Sequence, residues 1–128
     1  MRIDIITIFP EIIDAYMNAS IMKRAQAKGV VSIHTHNLRD YTIDKHRKVD
    51  DRPYGGGAGM VLMAEPILRA VSAIIKKAPK TKKRKIIILS AKGEQYEQKT
   101  ARKLAKNYKH IIFITGRYEG IDERVKKA

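Results

Sequence analysis

The sequence predicts an α/β domain in which a mostly parallel sheet is flanked by helices. Three short runs rich in Ile are almost continuously apolar, which is typical of strands buried on both faces of a parallel sheet: Ile3–Phe9, Ile86–Leu89 and Ile111–Ile114. Segments with apolar residues at helical spacing alternate with these runs, as in α/β folds. No linker or internal repeat divides the sequence, so residues 1–128 are expected to form a single domain.

The first half of the chain predicts a strand, two short helices, a second strand and a long loop. Residues 11–28 carry Ile, Tyr and Met at helical spacing, and Asn18 and Ser20 interrupt this pattern. Val30–Leu38 alternates apolar and polar residues, which predicts a strand with one wetter face. Arg39–Gly59 keeps no period and predicts a loop of about twenty residues.

The second half predicts two further helices between the apolar runs. Glu65–Lys77 has Pro66 in its first turn and a stripe of apolar residues, as in an amphipathic helix. Glu94–Tyr108 carries Tyr, Ala and Leu at helical spacing and predicts a helix before the last strand.

Charge and composition narrow the classes of function. The chain has 27 Lys and Arg against 13 Asp and Glu, a net charge of +14, which indicates a polyanionic partner, nucleic acid before an acidic membrane surface. Lys76–Lys85 contains seven Lys or Arg and no acid, so it is either a solvated turn or a contact surface for a phosphate backbone. Cysteine is absent, which excludes disulfides and thiolate metal sites, and we expect a cytoplasmic protein without a membrane span.

Two junctions between a strand and the following loop are candidates for a ligand site. Ligands of open α/β sheets bind beyond the carboxyl ends of the strands, and here the sequences Leu89–Gly93 and Thr115–Gly120 follow two predicted strands. Their glycines either bring backbone groups of both junctions to one pocket for a small polar ligand or only turn the chain.

Two other features have competing interpretations. Asp50–Gly59 holds four glycines but lacks the Lys and Ser or Thr of a phosphate-binding loop, so it is either a flexible linker or a site, and its Asp, Arg and Tyr favour a site. His34 and His36 lie on one face of a predicted strand. No Cys or nearby carboxylate completes a metal-ligand set, so we expect solvated histidines and no metal site there.

Two long motifs resemble those of bacterial tRNA (guanine-N1)-methyltransferases. They are DDRPYGGGAGM at residues 50–60 and GRYEGIDER at residues 116–124, supported by FPE at 9–11 and LRDYT at 38–42. The family is similar in fold to the SPOUT methyltransferases. The resemblance therefore implies a trefoil-knotted domain that forms a homodimer, binds S-adenosyl-L-methionine and methylates N1 of the guanosine immediately 3′ of the anticodon in tRNA.

The resemblance also implies roles for particular residues. It assigns cofactor binding to Leu89, Ser90, Ala91, Gly93, Gly116, Arg117, Tyr118, Glu119 and Gly120. It assigns contacts with the tRNA or its target base to Asp50, Arg52, Pro53, Tyr54 and Gly59. Arg117 is expected to stabilise charge on guanine O6, and Glu119 to hold the cofactor or a Mg²⁺ ion, with a surface ion pair as the alternative for both.

Length is the main departure from the family. Relatives continue past the Asp122–Val125 region into a further cofactor loop, the segment that closes the knot and a helical tRNA-binding domain. We therefore expect this chain to correspond to the N-terminal half of such an enzyme, without its general-base aspartate, and to be inactive alone. The alternative function is a non-catalytic basic RNA-binding α/β module.

Overall fold

The fold is described by a computed structural model for residues 1–53, 55–57, 59–116 and 120–128. The strands are β1 (Arg2–Thr7), β2 (Ser32–Asn37), β3 (Asp50–Asp51), β4 (Val61–Leu62), β5 (Arg84–Ile88) and β6 (His110–Ile114). The helices are α1 (Pro10–Met17), α2 (Ser20–Ala27), α3 (Ala64–Lys77), α4 (Gln98–Asn107) and α5 (Arg124–Lys127), and a 3₁₀ turn covers Leu38–Tyr41. No helix in these ranges is long and apolar enough to cross a bilayer.

Four strands form one parallel sheet in the order β2-β1-β6-β5, and β3 and β4 form a separate antiparallel pair. The central strands β1 and β6 are the most buried strands of the sheet, because a central strand is covered on both faces. The predicted α/β class with a mostly parallel sheet is confirmed.

Helix α3 covers one face of the sheet and contributes four of the twelve buried residues of the hydrophobic core cluster in the described chain. Ile67, Ala70 and Ile74 recur at helical spacing and pack against Ile6 and Ile112 of the central strands, all at most 2% exposed. Burial of each of these Ile side chains stabilises the folded state by about 1.5–3 kcal/mol. The helix was predicted to begin at Glu65 and begins one residue earlier.

Strand β5 was predicted to be buried on both faces, but it is partly exposed. It lies at the edge of the sheet with β6 as its only strand neighbour in the described chain, and Lys85 and Ile86 are exposed. The helix predicted from Glu94 begins later, at Gln98. A run of apolar residues identified the strand but not its place in the sheet.

The first two helices follow the prediction, with a break between α1 and α2. Neither helix has a buried residue, and Ile12, Tyr16 and Ile21 are 63–72% exposed. Ile12 and Tyr16 lie four residues apart on α1, so these two side chains share one face of that helix. Exposed apolar side chains that cluster usually meet a partner.

The long loop predicted for Arg39–Gly59 is partly structured. It contains the end of the 3₁₀ turn, the short strand β3 and Val49, which is 2% exposed in the core. Gly55, Gly56 and Gly57 have φ angles of 88°, 91° and 111°, in the left-handed region. A residue with a side chain is strained at these angles. The backbone path therefore requires glycine at these three positions, whereas a flexible linker would accept other residues.

A buried carboxylate occupies the amino-terminal half of β1. Asp4 has no exposed surface, and its oxygens accept hydrogen bonds from His36 Nε2 at 2.6 Å, His110 Nε2 at 2.6 Å and Arg2 Nε at 2.9 Å. Arg84 Nε donates to His110 Nδ1 at 2.7 Å, so the ring proton of His110 is on Nε2, facing Asp4. We call these residues the Asp4 network.

The Asp4 network corrects one prediction about the histidines. His36 was expected to be solvated, but its side chain is turned inward to Asp4 and also meets the Tyr41 hydroxyl at 3.3 Å. The carboxylate that sequence spacing could not supply comes from the neighbouring strand β1, with which β2 is paired in register.

Candidate functional site

A cleft of about 530 Å³ opens at the carboxyl ends of β5 and β6. Because these strands are neighbours and parallel, the loops that follow them leave the sheet side by side. The cleft is lined by five of the residues predicted to bind a cofactor, namely Leu89, Ser90, Ala91, Gly116 and Gly120. The two predicted junctions therefore share one pocket.

Backbone hydrogen bonds hold both junctions against the sheet. The Leu89 amide donates to the Ile114 carbonyl at 3.0 Å, which extends the pairing of the two strands to the mouth of the cleft. The amide and the hydroxyl of Thr115 both donate to the Ile6 carbonyl, at 3.0 and 2.8 Å. The floor of the cleft is thus an extension of the rigid central sheet.

The first junction forms a tight turn. The Gly93 amide donates to the Ser90 carbonyl at 3.1 Å, and the Lys92 amide donates to the Ser90 hydroxyl at 3.2 Å. Gly93 closes this turn and does not itself line the cleft. Among the described residues, the amides of Ser90 and Ala91 have no hydrogen-bond acceptor, so they are available to a ligand.

The opposite wall is fastened to β4. The Leu62 amide donates to the Gly120 carbonyl and the Asp122 amide donates to the Leu62 carbonyl, both at 3.0 Å. Beyond this wall, the hydrogen bonds from the Arg124 guanidinium hold the pKa of Asp122 below its ordinary value. The Asp122 carboxylate also accepts a hydrogen bond from the Arg124 amide at 2.9 Å, at the start of α5.

Several cleft residues were not predicted from the sequence. Ile121 supplies an apolar side chain, and Glu123 and Lys126 form an ion pair of 3.0 Å at the rim. Ile121 and Glu123 belong to the GRYEGIDER motif, so the motif itself contained their signal. No sequence pattern identified Lys126, because only the folding of α5 brings it to the cleft.

The predicted tRNA-contacting segment lies beside the cleft and does not line it in the described chain. Asp50 and Asp51 pair with Leu62 and Val61, so β3 is joined through β4 to the cleft wall. The Arg52 amide donates to the Asp51 carboxylate at 2.8 Å, and Gly59 has a φ of 84°.

Four predicted site residues lie outside the described residues: Tyr54, Arg117, Tyr118 and Glu119. Within the described ranges, no group of three or more His, Asp or Glu side chains is arranged to hold a metal ion. The Mg²⁺ expectation rested on Glu119 and therefore stays a prediction.

The whole sequence, residues 1–128, matches the family model described as tRNA (Guanine-1)-methyltransferase TrmD. A tRNA (guanine-N(1)-)-methyltransferase of Carboxydothermus hydrogenoformans is 50% identical over 127 residues, which cover 99% of this chain and 48% of the relative. One of Dictyoglomus turgidum is 52% identical over 126 residues, covering 98% of this chain and 49% of the relative.

A solved structure is similar in fold. The crystal structure of tRNA (m1G37) methyltransferase from Aquifex aeolicus superposes with a TM-score of 0.85 at 40% sequence identity, covering 99% of this chain and 56% of that one. The chain thus spans about half the length of the relatives that it matches.

Proposed function

This chain belongs to the tRNA (guanine-1)-methyltransferase family, and we propose that it provides the cofactor cleft of an enzyme that methylates N1 of the guanosine immediately 3′ of the anticodon in tRNA. The methyl donor in this proposal is S-adenosyl-L-methionine. The observation that carries the proposal is the convergence of the loops after β5 and β6 on one cleft at the carboxyl end of the sheet.

The residues of the cleft fit this cofactor. Ile88, Leu89 and Ile121 offer an apolar surface for an adenine ring, and the amides of Ser90 and Ala91 are available to donate to its polar atoms. S-adenosyl-L-methionine, when bound, supplies a sulfonium methyl group.

The chemistry at guanine makes two demands on the protein. N1 carries a proton at neutral pH, so a base must remove it, and negative charge that develops on O6 must be stabilised. We assign the stabilisation of O6 to Arg117 and the holding of the cofactor or a Mg²⁺ ion to Glu119. Both roles, and those of Tyr54 and Tyr118, are carried over from the family motifs.

We further propose that Asp50, Arg52, Pro53 and Gly59 contact the tRNA near its target base. The pairing of β3 with β4 supports this, because Leu62 of β4 is hydrogen-bonded to the cleft wall. A bound nucleotide in the cleft would therefore be next to this segment.

A homodimer and a cytoplasmic location complete the proposal. The exposed apolar side chains of Ile12, Tyr16 and Ile21 on α1 and α2 support burial of this surface against a second copy. A tRNA substrate is met in the cytoplasm.

Methyl transfer tests the proposed function. Labelled S-adenosyl-L-methionine and tRNA are incubated with the 128-residue chain and with the chain fused, after Ala128, to the C-terminal half of a relative. We expect the fused protein to label tRNA, and to lose this activity when the guanosine 3′ of the anticodon is replaced by adenosine. The 128 residues alone are expected to be inactive, because the general-base aspartate implied by the family has no counterpart among them.

Three results would contradict parts of this proposal. A fused protein that binds the cofactor but never methylates the guanosine would remove the assigned activity. Methylation by the unfused chain that disappears in Glu119→Gln would make Glu119 the base. A chain that binds tRNA but has no affinity for S-adenosyl-L-methionine would instead favour the alternative, a non-catalytic RNA-binding module, for which the net charge of +14 is the supporting observation.

A further inference from the structure

The positive charge of the chain is concentrated in one segment. From Lys76 to Gly116 the sequence holds 13 Lys and Arg and only two acids, Glu94 and Glu97. The rest of the chain holds 14 Lys and Arg and 11 Asp and Glu, so it is nearly balanced. Most of the net charge of +14 therefore belongs to this segment.

The fold brings two parts of this segment together. The amides of Lys109 and His110 donate to the Lys83 carbonyl, at 2.8 and 3.2 Å. The Lys85 amino group lies 5.9 Å from the centre of the Tyr108 ring. Residues 80–85 and 106–109 thus form one continuous surface at the amino-terminal ends of β5 and β6, which we call the basic edge.

The lysines of the basic edge lack counter-charges. Among the described residues none of them forms an ion pair; the nearest pair in sequence, Lys99 with Glu97 at 3.1 Å, lies outside the edge. Arg84 is bonded to uncharged acceptors, His110 Nδ1 and the Pro79 carbonyl. The charge is left to mobile counterions, and a polyanion that displaces them gains free energy from their release.

We infer that the basic edge binds the phosphate backbone of an RNA stem, as a second RNA contact separate from the cleft. The surface lacks exposed aromatic rings in the described chain, because Tyr108 is half-buried beside Lys85 and residues 80–85 contain none. It therefore has no platform on which unpaired bases stack, and it fits the regular phosphates of a base-paired stem.

An acidic membrane fits the basic edge less well. A helix that lies in a membrane interface needs bulky apolar side chains next to its cations. Leu104 is the only large apolar residue of α4, and its side chain is buried against the domain. Apart from Ala105, the exposed residues of α4 are polar or basic, so this helix offers charge without a membrane-inserting surface.

The basic edge and the cleft lie at opposite ends of β5. The strand runs from Arg84 at the edge to Ile88 at the cleft. At a rise of about 3.3 Å per residue the two are separated by about 13 Å. Resting on the proposed function, this separation means that one RNA meets the cleft with its target nucleotide and the basic edge with a stem.

Two charge-matched variants of the 128-residue chain test the inference. Lys80→Gln, Lys82→Gln and Lys83→Gln are combined in one variant; Lys23→Gln, Lys28→Gln and Lys45→Gln are combined in the control. All six lysines are exposed, so both proteins lose the same charge from solvated positions. Binding of a tRNA transcript is measured between about 50 and about 200 mM salt, where phosphate contacts weaken steeply.

The edge variant is expected to lose affinity at least tenfold at the lower salt concentration, and its log K against log salt slope is expected to be shallower by about 2 to 3. The control keeps a slope close to that of the wild type. Equal losses in the two variants, or no loss in the edge variant, would overturn the inference. Lys106→Gln with Lys109→Gln gives a second edge variant should the first unfold, as judged by circular dichroism.

Further arms separate the alternatives. Binding to phosphatidylglycerol vesicles without binding to tRNA would overturn the inference in favour of a membrane. Stronger competition by poly(U) than by an RNA duplex would overturn its assignment to a stem. S-adenosyl-L-methionine binding is measured in parallel: its absence with normal RNA binding contradicts the proposed function and leaves the basic edge standing, whereas the reverse result contradicts the basic edge alone.

Discussion

The two ends of the parallel sheet are built in opposite ways. In the amino-terminal half, Asp4 is buried and all its hydrogen bonds are made to side chains of β1, β2 and β6. At the carboxyl end, the cleft exposes backbone amides at Ser90 and Ala91 that have no acceptor among the described residues. At the first end the polar groups satisfy one another and hold the strands together, whereas at the second end polar backbone groups are left without a partner in the described chain.

This contrast explains why substitutions at the two ends should have different consequences. A buried carboxylate that loses its partners leaves charged or polar groups unpaired in the interior, which is costly. A group at an open cleft can exchange its partner for water at little cost. Stability should therefore respond to the Asp4 network, and ligand binding to the cleft.

The largest expected effect is that of Asp4→Asn. The amide can no longer accept all the hydrogen bonds of His36, His110 and Arg2, and its NH₂ group faces other donors. We expect the free energy of unfolding to fall by about 3 kcal/mol, measured by urea denaturation.

Asp40→Asn is the matched control for this change, because Asp40 is exposed and pairs with Arg47 at the surface. It should cost at most about 1 kcal/mol. Similar losses in the two variants would show that the Asp4 network does not hold the sheet together.

Lowering the pH tests the same network, because it protonates the Asp4 carboxylate. Burial opposes ionisation of Asp4, but the hydrogen bonds from His36, Arg2 and His110 outweigh it and hold the pKa of Asp4 well below its ordinary range. An unfolded Asp has a pKa of about 3.9, so the stabilisation is present in full above about pH 5 and is lost as the pH falls towards the folded pKa.

The difference in unfolding free energy between the wild type and Asp4→Asn should therefore shrink by about 2 kcal/mol from pH 5 to pH 2. The measurement is a series of urea titrations across this range. A difference that stays constant would mean that ionised Asp4 is not the stabilising species.

At the cleft, two substitutions of Gly116 distinguish an effect on the space available to a ligand from an effect on the stability of the fold. A Cβ at this position would lie 3.5 Å from Ile121 Cγ1 and 3.5 Å from the Leu89 carbonyl, an ordinary contact, so Gly116→Ala should be tolerated. Gly116→Leu would extend between the two junctions and occupy the cleft. We expect it to weaken S-adenosyl-L-methionine binding at least tenfold, which is about 1.4 kcal/mol.

Calorimetry compares the two variants, and thermal unfolding checks that both are folded. Gly116→Ala should bind within about threefold of the wild type, a difference of less than about 0.7 kcal/mol. Unchanged binding in Gly116→Leu would remove the cofactor from this cleft.

The smallest effect is expected from Glu123→Gln, the same carboxylate-to-amide change as in Asp4→Asn. The side chain of Glu123 is 70% exposed and pairs with Lys126 at the rim. An exposed pair of this kind contributes about 0.5 kcal/mol or less, so urea denaturation should detect almost no change. A loss near that of Asp4→Asn would erase the contrast between the two ends.

The sequence was most informative where a local pattern decides the structure. Apolar runs identified the central strands, and Pro66 with a helical stripe identified α3 nearly to its first residue. The break between α1 and α2 was also visible, because Asn18 and Ser20 interrupt the periodicity. In each case neighbouring residues carry the information.

Features that depend on distant residues were not predictable in the same way. The exposure of Ile86 follows from the place of β5 at the sheet edge, which no local pattern encodes. His36 appeared solvated because its partner Asp4 precedes it by 32 residues and meets it only through strand pairing. A shared pocket for the junctions after β5 and β6 was one of two interpretations of the sequence, and it came from a general rule about parallel sheets that supplied the missing long-range information.

The most direct test of the account is to follow backbone amide chemical shifts of the 128-residue chain during titration with S-adenosyl-L-methionine. We predict that the shifts concentrate in Leu89–Gly93, Thr115, Gly116 and residues 120–126, with weaker affinity than in a full-length relative, of which this chain spans about half. The Asp4 network should remain unshifted. Shifts centred on that network or on the basic edge, with the cleft unchanged, would contradict the central claim that the cofactor binds at the carboxyl end of the sheet.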